Sequence, residues 1–183
     1  MTDGLPHRLP GDPGPAEEIA GMLRVDHAGE YGATRIYQGQ LDVLRRGRSV
    51  AAIRQMAETE HRHLTRFEAL LRERRVRPTI LQPLWSVAGY AVGAATALLG
   101  ERAAMACTVA VEEVIDEHYA KQEAQLGSDD PELRVMIDKF RTEEIEHRDI
   151  GLAEGAQRAP AYELLTGAIK AASRAAIWLA ERF

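Results

Sequence analysis

The stretch MIDKFRTEEIEHRDIG, residues 136–151, crowds acids around a single histidine. On an α-helix, side chains three or four positions apart share a face, so Glu144 and His147 can point the same way. A carboxylate and an imidazole paired like this can ligate a divalent first-row metal. One such pair means little in a chain with 28 acidic residues. The spacing recurs, however, at Glu60 and His63.

Helical phase sorts these residues from their neighbours. Leu133, Ile137, Phe140, Glu144, His147 and Gly151 form one stripe, apolar except for the two candidate ligands. Ile53, Met56, Glu60, His63, Phe67 and Leu70 form a second stripe of the same kind. Glu143, Glu146 and His61 fall off these stripes and are expected at solvent. Two further stripes carry one inward glutamate each. Leu23, Glu30, Tyr37 and Leu44 make the first, with Asp26 and His27 nearby; Met105, Thr108, Glu112, Ile115 and Tyr119 make the second. Glu113 aligns instead with Glu117 on an expected solvent face.

In an antiparallel helix pair, residues at equal depth are equally far from the turn. Glu30 and Glu60 are centred on position 45, next to the glycine-containing break at 46–49. Glu112 and Glu144 are centred on position 128, inside the break at 127–130. Each hairpin thus sets a lone glutamate opposite a Glu-x-x-His. Four carboxylates and two imidazoles suit two divalent ions, iron or manganese, with the carboxylates balancing the charge. Four acids buried without cations would carry a large desolvation penalty. The pattern is that of the ferritin-like di-iron or di-manganese bundle.

The elements that position these residues can be read from the breakers. Pro15 opens a helix to about Arg46, ended by Gly47; Ser49 is an N-cap candidate for a second, to about Arg75. A third begins near Pro83 and runs, with a break among its glycines, to Leu126 and Gly127. Asp130 and Pro131 open a fourth to about Ala156, and Pro160 starts a fifth that reaches the C-terminus. No window alternates as a strand does. The expected fold is all-α: a ferritin-like four-helix bundle over residues 15–183, with a repeat of helical hairpins at about 15–75 and 84–156, behind a flexible leader over 1–14.

Composition narrows the function. Hydrophobic residues make up 45% and the net charge is −5, which fits a globular chain and gives no sign of a nucleic-acid partner. The single cysteine, Cys107, excludes internal disulfides and cysteine-rich metal centres, and its apolar surroundings point to a core residue. Residues 80–100 run 21 positions without a charge, but Pro83, several glycines and Gln82, Ser86 and Thr96 weigh against a membrane span. A core helix and a membrane-facing amphipathic element both remain open. Six arginines between Arg62 and Arg77 fit an anionic membrane surface or a solvated helix face equally well. The last segment is a further amphipathic helix, with Trp178 and Phe183 as interface anchors or core.

Three longer stretches carry a family resemblance. VDHAGEYGATRIYQGQ around Glu30, ACTVAVEEVIDEHYAKQ around Glu112, and FRTEEIEHRDIGL followed by APAYELL resemble the ubiquinone-biosynthesis di-iron hydroxylases, the demethoxyubiquinone (demethoxyubiquinol) monooxygenases. The resemblance spans about residues 20–183. It implies two Fe²⁺ per chain, held by Glu30, Glu60, His63, Glu112, Glu144 and His147, with O₂ as co-substrate. It further implies hydroxylation of 2-polyprenyl-3-methyl-6-methoxy-1,4-benzoquinol, a lipid-soluble quinol, with electrons from NADH or the quinol itself. No G-x-G-x-x-G nucleotide fingerprint is present to locate an NADH site. His118 and Tyr119 match a His-Tyr pair connected in the family with redox or proton transfer; Tyr119 reads equally well as a core tyrosine. Asp26 is either an acceptor for the second ring N–H of a ligand histidine or an exposed aspartate. The expected setting is peripheral, on the cytoplasmic face of a bacterial inner membrane, with other ubiquinone-biosynthesis proteins and a second copy of the chain as candidate partners. The competing reading is an iron-oxidising storage or peroxide-detoxifying bundle.

Overall fold

The computed structural model describes residues 13–183, so the leader expected over 1–14 lies outside the described residues except for Pro13 and Gly14. Six α-helices run in chain order among those residues, with no strand: α1 Pro15–Val43, α2 Val50–Glu73, α3 Gln82–Leu98, α4 Glu101–Leu126, α5 Pro131–Ala153 and α6 Tyr162–Ala180. A short 3₁₀ turn, Ala156–Arg158, precedes α6.

Local chemistry sets most boundaries. Pro15 occupies the first turn of α1, where its missing N–H is not needed, and the Glu17 carboxylate accepts from Gly14 N at 2.9 Å. Asp130 caps α5 by accepting from Leu133 N at 3.0 Å, with Pro131 behind it. Gly127 closes α4 with a φ of +49°, a left-handed value open to glycine at little cost. One expectation needs correction: Ser49 does precede α2, but its hydroxyl donates to Glu154 Oε2 at 2.9 Å instead of capping the helix. The expected break among the glycines of the third segment falls at Gly100, with a φ of +107°, and parts α3 from α4. Helix α1 also ends at Val43, three residues short of Arg46.

Helices α1 and α2 pack together, as do α4 and α5, and the two pairs face each other. Apolar side chains fill both ends of the space between them. At one end Leu23, Phe67, Leu70, Leu126, Leu133, Ile137 and Phe140 pack together; at the other, Ile53, Met56, Ala103, Met105, Ala106 and Val109 do so around Tyr37. The polar layer lies between these ends. Cys107 is fully buried beside Ala110 and Ile169, as a core residue.

Helix α3 lies on the outside of α1, close enough to need glycine. A Cβ at Gly93 would stand 1.9 Å from the Ile36 carbonyl oxygen, and one at Gly39 would stand 2.3 Å from that of Tyr90. Helix α6 covers α4, where Lys170 and Arg174 pair with Glu113 and Glu117. These two glutamates, expected to face solvent, are thus tied to another helix. Ile80, Leu84 and Val87 on the α3 side and Leu164, Trp178 and Phe183 on the α6 side remain exposed. The two elements meet where Ile80 N donates to Phe183 O at 3.3 Å. Among the described residues no helix is long and apolar enough to cross a membrane.

Candidate metal centre

Each of the four long helices contributes to one buried polar layer. Glu30 comes from α1, Glu60 and His63 from α2, Glu112 from α4, and Glu144 and His147 from α5; none is more than 4% exposed. Their ligand atoms form two groups, each within 4.8 Å: Glu30, Glu60, His63 and Glu144 in one, Glu60, Glu112, Glu144 and His147 in the other. Glu60 and Glu144 belong to both. Each group therefore combines one hairpin's lone glutamate and Glu-x-x-His with the shared glutamate of the other.

Both imidazoles turn Nδ1 toward the acids. His63 Nδ1 lies 3.0 Å from Glu144 Oε1 and 3.5 Å from Glu30 Oε2. His147 Nδ1 lies 3.0 Å from Glu60 Oε1 and 3.3 Å from Glu144 Oε2. Despite this closeness, Glu30 Oε2, Glu60 Oε1, both Glu144 oxygens and both Nδ1 atoms are buried without a hydrogen bond. Buried polar atoms rarely go unpaired. Oxygen and imidazole donors that converge without sharing protons fit a pair of divalent first-row cations.

The electrostatics agree. Burial raises the pKa of Glu60, Glu112 and Glu144, and their mutual repulsion adds to it, with Glu144 acting on the other two and Glu30 acting on Glu144. For His63, burial opposes the charged form, but contact with Glu144 and Glu30 prevails and pushes the imidazole up to about 11. Burial lowers His147, against the pull of Glu112. Without cations the cluster must hold protons; divalent ions would replace them.

Four neighbours refine the sequence expectations. Tyr119, a candidate for redox or proton transfer, donates its hydroxyl to Glu30 Oε1. Tyr37 donates to Glu112 Oε1 at 2.7 Å. The two bonds are reciprocal: each tyrosine follows its own helix's glutamate by seven residues and serves the glutamate of the other helix. The spacing was available in the sequence, but the crossing was not. Asp26 is neither exposed nor a partner of His63 or His147. It is buried and accepts from Gln122 Nε2 at 2.6 Å, with His118 Nε2 at 3.2 Å. Burial raises its pKa, against the contact with His118. Glu143, expected at solvent, reaches across to His63 Nε2 at 2.5 Å with its side chain 25% exposed. Glu146 and His61 are exposed as expected.

The family model for ubiquinone biosynthesis protein COQ7 matches residues 17–180. The chain belongs to this family. Among curated COQ7-type relatives it is 60% identical over 176 residues to 3-demethoxyubiquinol 3-hydroxylase of Rhodospirillum rubrum, covering 96% of this chain and 83% of that protein. It is 54% identical over 165 residues to the human mitochondrial NADPH-dependent 3-demethoxyubiquinone 3-hydroxylase, covering 88% and 76%. It is 40% identical over 178 residues to the mitochondrial 5-demethoxyubiquinone hydroxylase of Saccharomyces cerevisiae, again covering 88% and 76%.

Proposed function

We propose that this COQ7-family chain is an O₂-dependent di-iron monooxygenase that hydroxylates the ring of demethoxyubiquinol in ubiquinone biosynthesis. In this reading residues 15–183 form one ferritin-like domain, lying peripherally on the cytoplasmic face of a bacterial inner membrane. The observation that carries it is the pair of buried ligand groups sharing Glu60 and Glu144, in a chain whose relatives are named as hydroxylases of this quinol or quinone.

Glu30, Glu60, His63, Glu112, Glu144 and His147 would hold the two ions, with Glu60 and Glu144 common to both groups and each imidazole offering its Nδ1. The bound Fe²⁺ pair supplies the redox chemistry that lets one atom of O₂ enter the ring while the other leaves as water. Tyr119 and Tyr37 fix the carboxylates of Glu30 and Glu112 by donating to them. The apolar layers on either side exclude bulk water and strengthen these interactions. His118, tied to Asp26 and Gln122, lies next to Tyr119 and is half-buried, so it can pass a proton between solvent and the tyrosine side of the layer. The two electrons each turnover requires come from a reduced nicotinamide nucleotide, as the names of the mouse and human relatives have it.

Exposed Ile80, Leu84, Val87, Trp178 and Phe183 support the membrane placement, since a lipid-soluble quinol must be drawn from a bilayer. Arg182 stacks 3.9 Å over the Trp178 ring, a pairing suited to an anionic interface. The test is mass spectrometry of the quinone products after Fe²⁺-loaded protein, a reductant and a short-chain demethoxyubiquinol meet ¹⁸O₂. Uptake of one ¹⁸O atom, absent for Glu144→Ala, is expected. Iron oxidation with unchanged quinol, substrate binding having been verified, would return the chain to the storage or peroxide reading.

A further inference from the structure

The site is built as a repeat, and the repeat is broken at one position. Glu60 and Glu144 are 84 residues apart, as are His63 and His147. The same offset maps Glu143 onto Thr59. Glu143 Oε2 lies 2.5 Å from His63 Nε2, the ring nitrogen facing away from the ligand cluster. The other Glu143 oxygen is 3.9 Å from Lys139 Nζ at the surface. Thr59 does nothing comparable. Its hydroxyl turns back to the Gln55 carbonyl at 3.3 Å and accepts from Arg62 at 3.0 Å. Among the described residues His147 Nε2 has no hydrogen-bond partner.

A carboxylate that accepts the outer N–H of a ligand imidazole fixes the tautomer, leaving the lone pair on the inner nitrogen, and makes that nitrogen a stronger donor. The His63 ring is also held flat against Phe140, with centroids 3.9 Å apart and planes 20° apart. His63 is thus preorganised twice over.

We propose that Glu143 is a positioning residue that makes the two metal positions unequal. The group Glu30–Glu60–His63–Glu144 fills first, and the group containing His147 fills second. The inference rests on the di-metal reading above. Loss of such an outer partner weakens metal binding by about 10- to 100-fold, and the two positions differ by a factor of that order.

The experiment is an anaerobic titration of the full-length, metal-free chain with Co²⁺, followed by its visible absorption. Wild type is expected to bind two equivalents in two resolved steps. Glu143→Gln weakens the first step by about 10- to 100-fold until the steps merge, and Glu143→Asp recovers part of the separation. A single affinity for both ions in wild type, or an unchanged first step in Glu143→Gln, overturns the inference while leaving the di-metal site intact. Failure of wild type to bind Co²⁺ overturns both. A second readout needs no variant. At one equivalent, the paramagnetically shifted imidazole N–H resonance is expected to show a nuclear Overhauser contact to the Phe140 ring, identifying it as His63. Two such resonances of equal intensity at that point also overturn the inference.

Discussion

Replacing Glu144 by glutamine should make the metal-free protein more stable. Both Glu144 carboxylate oxygens are buried without a hydrogen bond. Burial raises its pKa above the ordinary 4.5; contact with His63 lowers it in part, and the Glu30 charge raises it again. At pH 7.5 the folded chain must either hold a proton on such a group or bury its charge, and a buried polar group left unsatisfied costs about 1–3 kcal/mol, more when charged. A carboxamide carries no such cost and can accept from His63 Nδ1–H while donating to His147 Nδ1, which lie 3.0 and 3.3 Å from the two oxygens. Because His63 already offsets part of the penalty, a gain of about 2 kcal/mol is expected, or roughly 4–8 °C in Tm for a chain of this size. The assay is thermal unfolding by circular dichroism in chelator at pH 7.5 and pH 5.5. The raised carboxyls stabilise the fold below their unfolded pKa, and that stability is lost as pH rises through their folded values. The variant's advantage must therefore shrink toward pH 5.5. His147, lowered by burial, acts in the opposite sense as pH falls below 6.5 and limits how far the wild type can recover. With Fe²⁺ or Mn²⁺ added, the order should invert, because only wild type has the complete ligand set. A metal-free variant no more stable than wild type at pH 7.5, or one whose advantage grows on acidification, would refute the reasoning.

Four other changes probe different parts of the molecule. Tyr37→Phe removes a 2.7 Å donor to Glu112 and should cost the Fe²⁺-loaded protein about 1.5–3 kcal/mol, read as a lower unfolding midpoint with two ions still bound. Gly93→Ala drives a Cβ toward the Ile36 carbonyl and should destabilise by about 1–3 kcal/mol or more. Gly167→Ala on α6, with nothing within 4 Å of the new atom, should instead gain about 0.5–1 kcal/mol in the same melting experiment. Leu84→Ser combined with Val87→Ser, both sites being exposed, should shift Tm by no more than about 1 kcal/mol equivalent. The same pair should lower co-sedimentation with anionic phospholipid vesicles at least about tenfold, since two buried aliphatic side chains contribute about 1.5–3 kcal/mol each. Unchanged vesicle binding would remove α3 from the interface.

The polar layer was legible in the sequence because it obeys a single-helix rule. Phase along α5 separates Glu144 from Glu143 and Glu146, and phase along α2 separates His63 from His61, without knowing where any other helix lies. Distance from the turn then sets the depth of Glu30 against Glu60 and Glu112 against Glu144. The same rule is what misplaced Glu143. It judges a residue by its own helix, whereas Glu143 gains its role from His63 on α2, across an interface the stripe does not describe. Asp26 escaped for a related reason: its partners, His118 and Gln122, are more than 90 residues away and belong to α4. The place of α3 was hidden too. An uncharged run rich in glycine suits a bilayer, a core or a close helix contact alike. Only the approach of Gly93 to Ile36 and of Gly39 to Tyr90 shows that some of these glycines serve backbone contact with α1.

The repeat and its exceptions divide the labour of the bundle. Glu30 and Glu112 are 82 residues apart, as are Tyr37 and Tyr119, so α1 and α4 carry matched Glu–Tyr sets that brace each other across the layer. Helices α2 and α5 carry the matched Glu-x-x-His sets. A cluster of acids so arranged is unfavourable on its own, and a flexible bundle would relieve it by letting the carboxylates drift toward water. The apolar ends prevent this: Phe67, Phe140 and Ile137 close one side, and Met56, Met105 and Val109 the other, nearly all inaccessible to solvent. Close packing resists the small shifts that would relieve the repulsion. Cations can relieve it without moving the chain, so the rigidity that makes the metal-free layer costly also holds six ligands ready for two ions. Glu143 then has a distinct part, because in a layer this symmetric an outer carboxylate on one histidine alone is enough to give the two ions an order of entry.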